Sequence, residues 1–327
     1  MNEREKLSQL SARLGADPLL VQAAGGNTSL KQDGVMWIKA SGTWLKDASS
    51  KNIFVPLDYA KLKTALASDD PDCESCLKFV RSDLNESGLR PSIETSVHGL
   101  MSQNVVLHVH CVNTIAWAIH ENAKILLSDK LSGENWAFIP YARPGLNLSR
   151  AIRERLNPQC NVLVLGNHGL VVAADTVAEA EALLQKIVDK LQRPTRPITH
   201  ANIAILREIC RGTAYVPALD SRIQTLAFDA LCLEVGTKNV FYPDHVVFLG
   251  TSIARDFSSD GPAILLPRKG ILIHKNAKPA VEAMLQCLSD VFLRVPASAK
   301  LKALTPEEID QLLNWDAEKY RQTLPSS

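Results

Sequence analysis

The spacing of apolar residues alternates along the chain between the period of a helix and that of a strand. Leu7, Leu10 and Leu14 fall on one helical face and Gly15 follows them, which predicts an amphipathic helix over residues 3–14. Short apolar runs bounded by turn residues predict strands, and longer segments with a period of 3.6 predict helices. The first 192 residues are thereby predicted to hold strands at 35–40, 55–57, 105–109, 161–165 and 170–173 and helices at 58–67, 113–119, 148–156 and 176–191.

A proline-containing stretch, residues 192–197, interrupts this pattern and contains no apolar run. It predicts a boundary between a main domain over residues 1–192 and a smaller α+β domain over residues 198–327. The smaller domain is a candidate for oligomerisation or for a lid. Its pattern predicts helices at 203–209, 223–231 and 279–295, strands at 246–249, 264–266 and 271–273, and a final helix from Thr305 to near Tyr320.

The composition is that of a folded protein without a strongly charged partner. Of the 327 residues 46% are hydrophobic, and the formal net charge of +1 favours neither a nucleic-acid partner nor an anionic membrane surface. The seven cysteines lie mostly in apolar runs, which is typical of reduced, buried thiols. The N-terminus lacks a hydrophobic signal core, and no apolar run approaches the ~20 residues that span a bilayer, so we expect a cytoplasmic protein.

Two histidines two residues apart give the clearest chemical signal. His108 and His110 belong to the run Leu-His-Val-His-Cys, and a strand places residues i and i+2 on the same face, as two metal-binding imidazoles require. Glu94 lies fourteen residues before His108, and His168 lies fifty-eight residues after His110. Any one of these histidines is typical of a core or turn position, whereas three of them with a carboxylate predict a catalytic metal site.

Two glycine-containing turns precede this cluster. Gly-Gly-Asn at 25–27 and Ser-Gly-Thr at 41–43 allow the backbone to approach a ligand closely, and their side chains offer neutral hydrogen bonds to phosphate or carboxylate oxygens. Taken alone, they are more typical of tight turns between strands. Ser92 is predicted to cap a helix with Glu94 in its first turn, and His98 on the same side is predicted to support the metal ligands.

The order of these motifs resembles that of the class II aldolase and adducin family. The Gly-Asn and Ser-Gly-Thr turns are followed by Pro-Ser-Ile-Glu at 91–94, His-Val-His at 108–110 and Gly-Asn-His-Gly at 166–169. The family includes zinc-dependent fuculose phosphate and rhamnulose phosphate aldolases, ribulose phosphate 4-epimerases and related decarboxylases. The resemblance covers residues 20–190. Beyond it, Phe-Tyr-Pro-Asp-His-Val-Val at 241–247 is similar to the longer rhamnulose-aldolase-like branch, and we expect no fused dehydrogenase region in this chain.

The resemblance implies an α/β fold of three layers (α+β), in which a central, mainly antiparallel sheet is flanked by helices. It also implies a homotetramer with sites at subunit interfaces. It implies that His108, His110 and His168 bind Zn²⁺ or another divalent metal and that Glu94 is the general base. Carried over to the family's phosphate-contacting loops, it assigns substrate binding to Gly26, Asn27, Ser41, Gly42 and Ser92.

The activity implied is that of a zinc-dependent aldolase acting on a ketose phosphate or sugar-acid phosphate. It would cleave a carbon–carbon bond reversibly through a metal-stabilised enediolate. A pKa raised by partial burial would suit Glu94 to carry protons to and from the carbanion carbon. Ile93 stands where short-branch aldolases commonly have serine, which removes one phosphate donor, so a sugar acid without phosphate is an alternative substrate.

Three other functions within the family are alternatives. A decarboxylase of a 3-oxo sugar-acid phosphate would use the same enediolate and the same residues. A 4-epimerase is less favoured, because these epimerases commonly have aspartate at the position of Glu94, and an adducin-like scaffold is disfavoured because all three histidines are present. Four further residues are candidates for aldehyde positioning or for a site shared with a neighbouring subunit, and equally for structural roles: Tyr141, Arg143, Tyr242 and His245.

Overall fold

The computed structural model describes residues 1–258 and 260–316. Its strands are β1 (Asn27–Gln32), β2 (Val35–Lys39), β3 (Phe54–Asp58), β4 (Val105–Val109), β5 (Trp136–Ile139), β6 (Val162–Leu165), β7 (Gly169–Ala174), β8 (Tyr215–Pro217), β9 (Ala263–Leu266) and β10 (Gly270–His274). Its α-helices are α1 (Glu3–Ala16), α2 (Tyr59–Ala67), α3 (Thr95–Leu100), α4 (Val112–Ala118), α5 (Ala123–Lys130), α6 (Leu146–Arg153), α7 (Val177–Lys190), α8 (Ile203–Ile209), α9 (Ser221–Thr225), α10 (Pro243–Leu249), α11 (Pro279–Leu293) and α12 (Pro306–Leu313).

Seven strands of the described chain form one central sheet in the order β3-β2-β1-β4-β7-β6-β5. Every neighbouring pair is antiparallel except β5 and β6, which are parallel. The predicted α/β fold with a mainly antiparallel central sheet is therefore confirmed. Across the middle of the sheet, Asn27 of β1 lies opposite His108 of β4, and Val109 lies opposite Leu170 of β7. This register brings three of the predicted motifs to adjacent strand ends.

The residues of β4 alternate between the two faces of the sheet, and helices cover both faces. Leu107 and Val109 are buried in an apolar cluster with α1 and α7, whereas Val106 is buried with α3 and α6 on the opposite face. Alternation with a period of two is the geometry of a strand, and burial of both sides is that of a strand inside three layers. His108, two residues from Val106, therefore lies on the side of α3, the helix that follows Glu94.

The region after residue 198 contains a three-stranded antiparallel sheet in the order β8-β10-β9 and packs around the long helix α11. Its apolar cluster includes Ile115 of α4, Ile119 at the C-terminal cap of that helix and Leu288 of α11. Because α4 starts two residues after His110, this region packs against the helix that leads away from the histidine pair. The division of the chain into two domains stays a prediction.

The prediction of a strand at 246–249 is wrong, because these residues form part of α10. A short, continuous apolar run has no periodicity that separates a buried strand from a buried helix. Here Pro243 occupies the first turn of the helix, where its missing N–H costs nothing, and α10 buries most of its residues against α11 and α12.

Two other predicted helices differ in extent from the structure. The one predicted at 223–231 ends earlier, since α9 stops at Thr225 and a single π-helical turn follows at Cys232–Gly236. The predicted final helix ends at Leu313 with Asn314 as its C-cap, and the end predicted near Tyr320 lies outside the described residues. Among the described residues, no helix has both the length and the apolar character needed to cross a lipid bilayer.

Candidate metal centre

Two segments at the ends of inner strands of the central sheet contain the three histidines. His108 lies in β4 and His110 in the short connection from β4 to α4, while His168 lies in the turn between β6 and β7. Asn167 is the middle residue of that tight turn and has a φ of +54°, a conformation that asparagine tolerates better than most residues. Because β7 pairs with β4, this turn lies beside the end of β4, and residues far apart in sequence meet.

The three imidazole rings form a nearly equilateral triangle. Their centroids are separated by 5.0 Å between His108 and His110, 4.9 Å between His108 and His168, and 5.1 Å between His110 and His168. Glu94 faces this triangle, with Oε2 3.3 Å from His108 Nε2 and Oε1 3.5 Å from His168 Nε2. One ligand atom from each of the four buried residues lies within 4.8 Å of the others. The fold thus brings the predicted cluster together.

Contacts of the ring nitrogens indicate which side of each imidazole is available to a ligand. His108 Nδ1 lies 3.1 Å from the carbonyl oxygen of Leu170 and donates its hydrogen there, so the lone pair of Nε2 is directed at Glu94. His110 Nδ1 lies 3.0 Å from Asp244 Oδ2, and its Nε2 is buried without a hydrogen-bond partner. Both histidines therefore present Nε2 to the centre.

This arrangement fits a divalent metal ion. Buried polar atoms without partners are rare in folded proteins, because each loses its hydration without compensation. Imidazole nitrogens with a carboxylate oxygen are ligands that Zn²⁺ uses, and three histidines are a known set for catalytic zinc. Within the described part of the chain, three buried atoms lacking a hydrogen bond lie here, namely Glu94 Oε1, His108 Nε2 and His110 Nε2.

Glu94 immediately precedes α3 instead of lying in its first turn. It occupies the N-cap position, and its backbone N–H donates to Ser92 Oγ at 3.2 Å. Asn27 Nδ2 donates to Glu94 Oε2 at 2.9 Å. A side chain from the neighbouring strand β1 therefore fixes the direction of the carboxylate.

The pKa of Glu94 moves opposite to the expectation from sequence. Burial acts to raise it, but in the acidic range where Glu94 titrates the electrostatic effect of the neighbouring protonated imidazoles, led by His108, and the Asn27 hydrogen bond outweigh burial and lower the pKa from 4.5 to about 2. The expected rise is therefore wrong, and Glu94 is ionised at neutral pH. Burial lowers the pKa of His168 to about 3, so near neutral pH this ring is uncharged and able to act as a ligand.

His98 hydrogen-bonds the side-chain amide of Asn27, which in turn hydrogen-bonds the carboxylate of Glu94. His98 Nε2 donates to Asn27 Oδ1, and His98 Nδ1 accepts from Ser29 Oγ at 2.7 Å. Burial lowers the pKa of His98 to about 3, so the ring is neutral and its two nitrogens have opposite hydrogen-bonding roles. The chain Ser29–His98–Asn27–Glu94 gives His98 the supporting position that the sequence predicts for it.

A small cavity of about 20 Å³ adjoins the centre. Lys39, which the sequence patterns did not single out, also lines it, and its Nζ donates to the carbonyl oxygens of Ala24 at 2.8 Å and Gly26 at 2.9 Å. A buried lysine therefore holds the Gly-Gly-Asn turn in place. All five residues assigned to phosphate contacts line this cavity: Gly26, Asn27, Ser41, Gly42 and Ser92.

Two of the four additional candidates, Tyr141 and Arg143, lie in the loop after β5. Arg143 forms an ion pair with Glu74 at 2.5 Å, and its guanidinium lies 4.1 Å from the ring centroid of Trp315. Tyr141 packs against an apolar cluster that includes Val246. Their roles in substrate positioning stay predictions.

The other two candidates, Tyr242 and His245, flank the residue that reaches the centre. Tyr242 is buried in the C-terminal cluster, and His245 Nδ1 accepts the backbone N–H of Phe241 at 3.4 Å. Asp244, between them, is buried, lines the small cavity and contacts His110. The run at 241–247 marks this segment in the sequence, but its pattern does not distinguish which side chain faces the centre.

The family model for the Class II Aldolase and Adducin N-terminal domain matches residues 5–192. The chain belongs to this family. The matched class II aldolase/adducin region contains Glu94 and the three histidines, whereas Asp244 lies beyond it.

Similarity to individual proteins extends over part of the chain. A curated relative from Bacillus subtilis (strain 168), Uncharacterized oxidoreductase YuxG, is 30% identical over 236 residues, which are 68% of this chain and 33% of the relative. The chain thus spans about a third of the relative's length. The N-terminal class II aldolase domain of a conserved protein from Thermoplasma acidophilum is 24% identical with a TM-score of 0.49, covering 57% of this chain and 90% of that one. L-fuculose-1-phosphate aldolase from Thermus thermophilus is 15% identical with a TM-score of 0.36, covering 63% and 97%.

Proposed function

We propose that this class II aldolase/adducin family member is a zinc-dependent lyase. It reversibly cleaves a carbon–carbon bond of a ketose phosphate or a sugar-acid phosphate, with His108, His110 and His168 holding the metal and Glu94 moving the proton. The observation that carries the proposal is the convergence of four buried residues with ligand atoms within 4.8 Å of one another.

The chemistry divides between the metal and the chain. A bound divalent ion supplies a Lewis acid that stabilises the negative charge developing on substrate oxygens as the bond breaks. Glu94 is ionised at neutral pH, which is the form that accepts a proton, but its low pKa makes it a weaker base than the carboxylate of raised pKa expected from the sequence. Oε2 of this carboxylate accepts a hydrogen bond from Asn27, whereas Oε1 is buried without one. We therefore assign proton transfer to Oε1.

We place the anionic group of the substrate beside the glycine-containing turns. The hydroxyl of Ser41 is buried without a hydrogen-bond partner in the described chain and is thus available to an oxygen of the substrate. Lys39 lines the same cavity, and its Nζ donates to the carbonyl oxygens of Ala24 and Gly26. A phosphate or a carboxylate is the anionic group we propose.

The sugar itself requires more space than the small cavity offers, since about 20 Å³ accommodates roughly one water molecule. This cavity shares Ala24 and Gly42 with a neighbouring cavity of about 340 Å³. It shares Ser41 and Ile93 with another of about 250 Å³. We propose that the part of the substrate beyond the reacting carbons extends into one of these spaces.

The test is a product screen with the purified full chain loaded with Zn²⁺. A panel of ketose phosphates and sugar-acid phosphates is incubated with the enzyme, and release of dihydroxyacetone phosphate, lactaldehyde, pyruvate or carbon dioxide is measured. We expect one aldol product pair from one substrate, and loss of that product in Glu94→Gln.

Other products would change the proposal in defined ways. Carbon dioxide without an aldehyde indicates the decarboxylase, and an epimer without cleavage indicates the 4-epimerase. A protein that binds Zn²⁺ yet converts no substrate of the panel contradicts the lyase assignment. The homotetramer that the resemblance implies belongs to the same proposal, and sedimentation equilibrium measures it directly.

A further inference from the structure

Asp244 is a buried carboxylate from the C-terminal region that contacts the candidate metal centre. Its Oδ2 lies 3.0 Å from His110 Nδ1, and its exposed fraction is 2%. The same ring has Nε2 buried without a hydrogen-bond partner, directed away from Asp244. Asp244 lies more than fifty residues beyond the matched family region, which ends at residue 192.

We propose that Asp244 is the positioning residue of this centre. At 3.0 Å from Nδ1, its Oδ2 is within reach of the Nδ1 hydrogen of His110, and by accepting it Asp244 would fix the tautomer and the ring orientation and leave the Nε2 lone pair for the metal. The inference rests on the proposed metal centre and adds to it a residue from outside the aldolase domain.

The backbone of the Gly-Gly-Asn turn restricts both partners of this contact. A Cβ atom on Gly25 would lie 2.7 Å from His110 Nδ1 and 2.8 Å from Asp244 Oδ2, closer than real Cβ contacts. Glycine is therefore needed for the imidazole and the carboxylate to meet at this point. Three separate segments of the chain therefore converge on the contact between His110 Nδ1 and Asp244 Oδ2.

The segment around Asp244 is held by a second link to the histidine loops. Asn167, the residue before His168, donates from Nδ2 to the carbonyl oxygen of Phe241 at 3.0 Å and to that of Lys302 at 2.7 Å. The C-terminal region thus contacts the segments of two of the three histidines. Loss of the Asp244 side chain should therefore disturb the metal more than the fold.

The test measures metal binding by the full chain, independently of any substrate. Co²⁺ replaces Zn²⁺ as the probe, because its visible absorption reports on the geometry of the ligands. Affinity is measured by competition with a chelator for the wild type, Asp244→Asn and Asp244→Ala. The matched control is Asp290→Asn, since Asp290 is equally buried in the C-terminal region but pairs with Arg294 at 3.1 Å.

We expect Asp244→Asn to weaken Co²⁺ affinity by about 10- to 100-fold and to alter the cobalt spectrum. Asp244→Ala should do the same or more, with a melting temperature of the metal-free protein close to that of the wild type. Asp290→Asn should lower the melting temperature and leave both affinity and spectrum unchanged. This pattern separates orientation of a ligand from stabilisation of the fold.

Three results would overturn the inference. If the wild type binds Co²⁺ and Asp244→Asn matches its affinity and spectrum, the positioning role is wrong while the metal centre stands. If Asp290→Asn loses as much affinity, the effect belongs to the fold of the region. A wild type that binds no Co²⁺ removes both the proposed function and this inference.

Discussion

Asn27 Nδ2 lies 2.9 Å from Glu94 Oε2, and Asn27 is also the residue opposite His108 in the ladder between β1 and β4. The register of two strands thereby determines where the carboxylate meets the imidazoles. The Oδ1 atom of the same amide accepts from His98, so both ends of the Asn27 side chain are used. Asn27 therefore connects the central sheet to the proposed catalytic carboxylate.

Replacement of Asn27 tests this connection. Asn27→Ala should lower kcat, because Glu94 loses the donor that directs it, and should lower the free energy of unfolding by about 1–3 kcal/mol, because His98 keeps a buried N–H without an acceptor. Ser29→Ala is the matched control, since Ser29 bonds the other nitrogen of His98 and does not contact Glu94. It should reduce stability with little change in kcat. Equal losses of kcat in both variants would argue against a specific role for Asn27.

Glu94→Gln separates proton transfer from metal binding. The amide has nearly the same shape but cannot accept the proton, so turnover should fall by about 10²- to 10⁴-fold. Three imidazoles remain, so metal content should stay near that of the wild type. Steady-state kinetics and elemental analysis of the same preparation measure the two effects, and Glu154→Gln on the surface is the control. Retained turnover removes Glu94 as the base, whereas lost metal identifies it as an essential ligand.

Gly25→Ala should damage the centre through a single methyl group. The added Cβ would press against His110 Nδ1 and Asp244 Oδ2, so we expect metal affinity to fall by about tenfold or more. Gly236→Ala is the control for overpacking elsewhere, since its Cβ would meet the ring of Phe292 at 3.2 Å, far along the chain from the histidines. That variant should change the melting temperature and spare metal affinity. The reverse ranking of the two affinities would contradict the geometry described for His110.

Lys31 gives the stability a pH dependence that does not involve the metal centre. Burial, with the nearby charge of Lys63, lowers the pKa of Lys31 from 10.5 to about 7. Between these two values the unfolded chain binds a proton that the folded chain lacks, so the free energy of unfolding rises with pH, by at most about 1.4 kcal/mol per unit.

Chemical denaturation of the wild type and Lys31→Met between about pH 7 and 9 measures this contribution. The wild type should gain stability relative to the variant as the pH rises through this window. In the folded chain Lys31 Nζ donates to the carbonyl oxygens of Met101 and Gln103, so methionine also removes two hydrogen bonds. That loss shifts the variant's stability by a constant, whereas equal slopes for the two proteins would show that the pKa of Lys31 is not lowered.

Local patterns in the sequence predict much of the fold because they depend on neighbouring residues. The helix predicted at 176–191 is confirmed, and it begins with a capping box in which Thr176 and Glu179 exchange hydrogen bonds. The strand at 105–109 is confirmed to the residue. The prediction of a strand at 246–249 is wrong because these residues lie in a buried helix. A short, fully apolar run has no hydrophobic periodicity that would separate a strand from a helix.

For the site as well, features that depend on neighbouring residues are predictable from the sequence, whereas features that depend on distant residues are not. The spacing of His108 and His110 on one strand suffices to predict that they act together. Neither the contact of Asp244 with His110 nor the low pKa of Glu94 follows from spacing, because each depends on where distant segments converge. A carboxylate surrounded by imidazoles is distinguished from one surrounded by apolar groups only in the folded chain.

The central claim is that the histidine cluster holds a divalent metal, and elemental analysis tests it most directly. The purified wild type is compared with the double variant His108→Ala/His110→Ala, with the melting temperature of each metal-free protein as the control for folding. We predict nearly one equivalent of metal per chain in the wild type, restored by added Zn²⁺ after chelation, and almost none in the variant. A folded wild type that takes up no metal even after Zn²⁺ is added, or a double variant that keeps a full equivalent, would contradict the account.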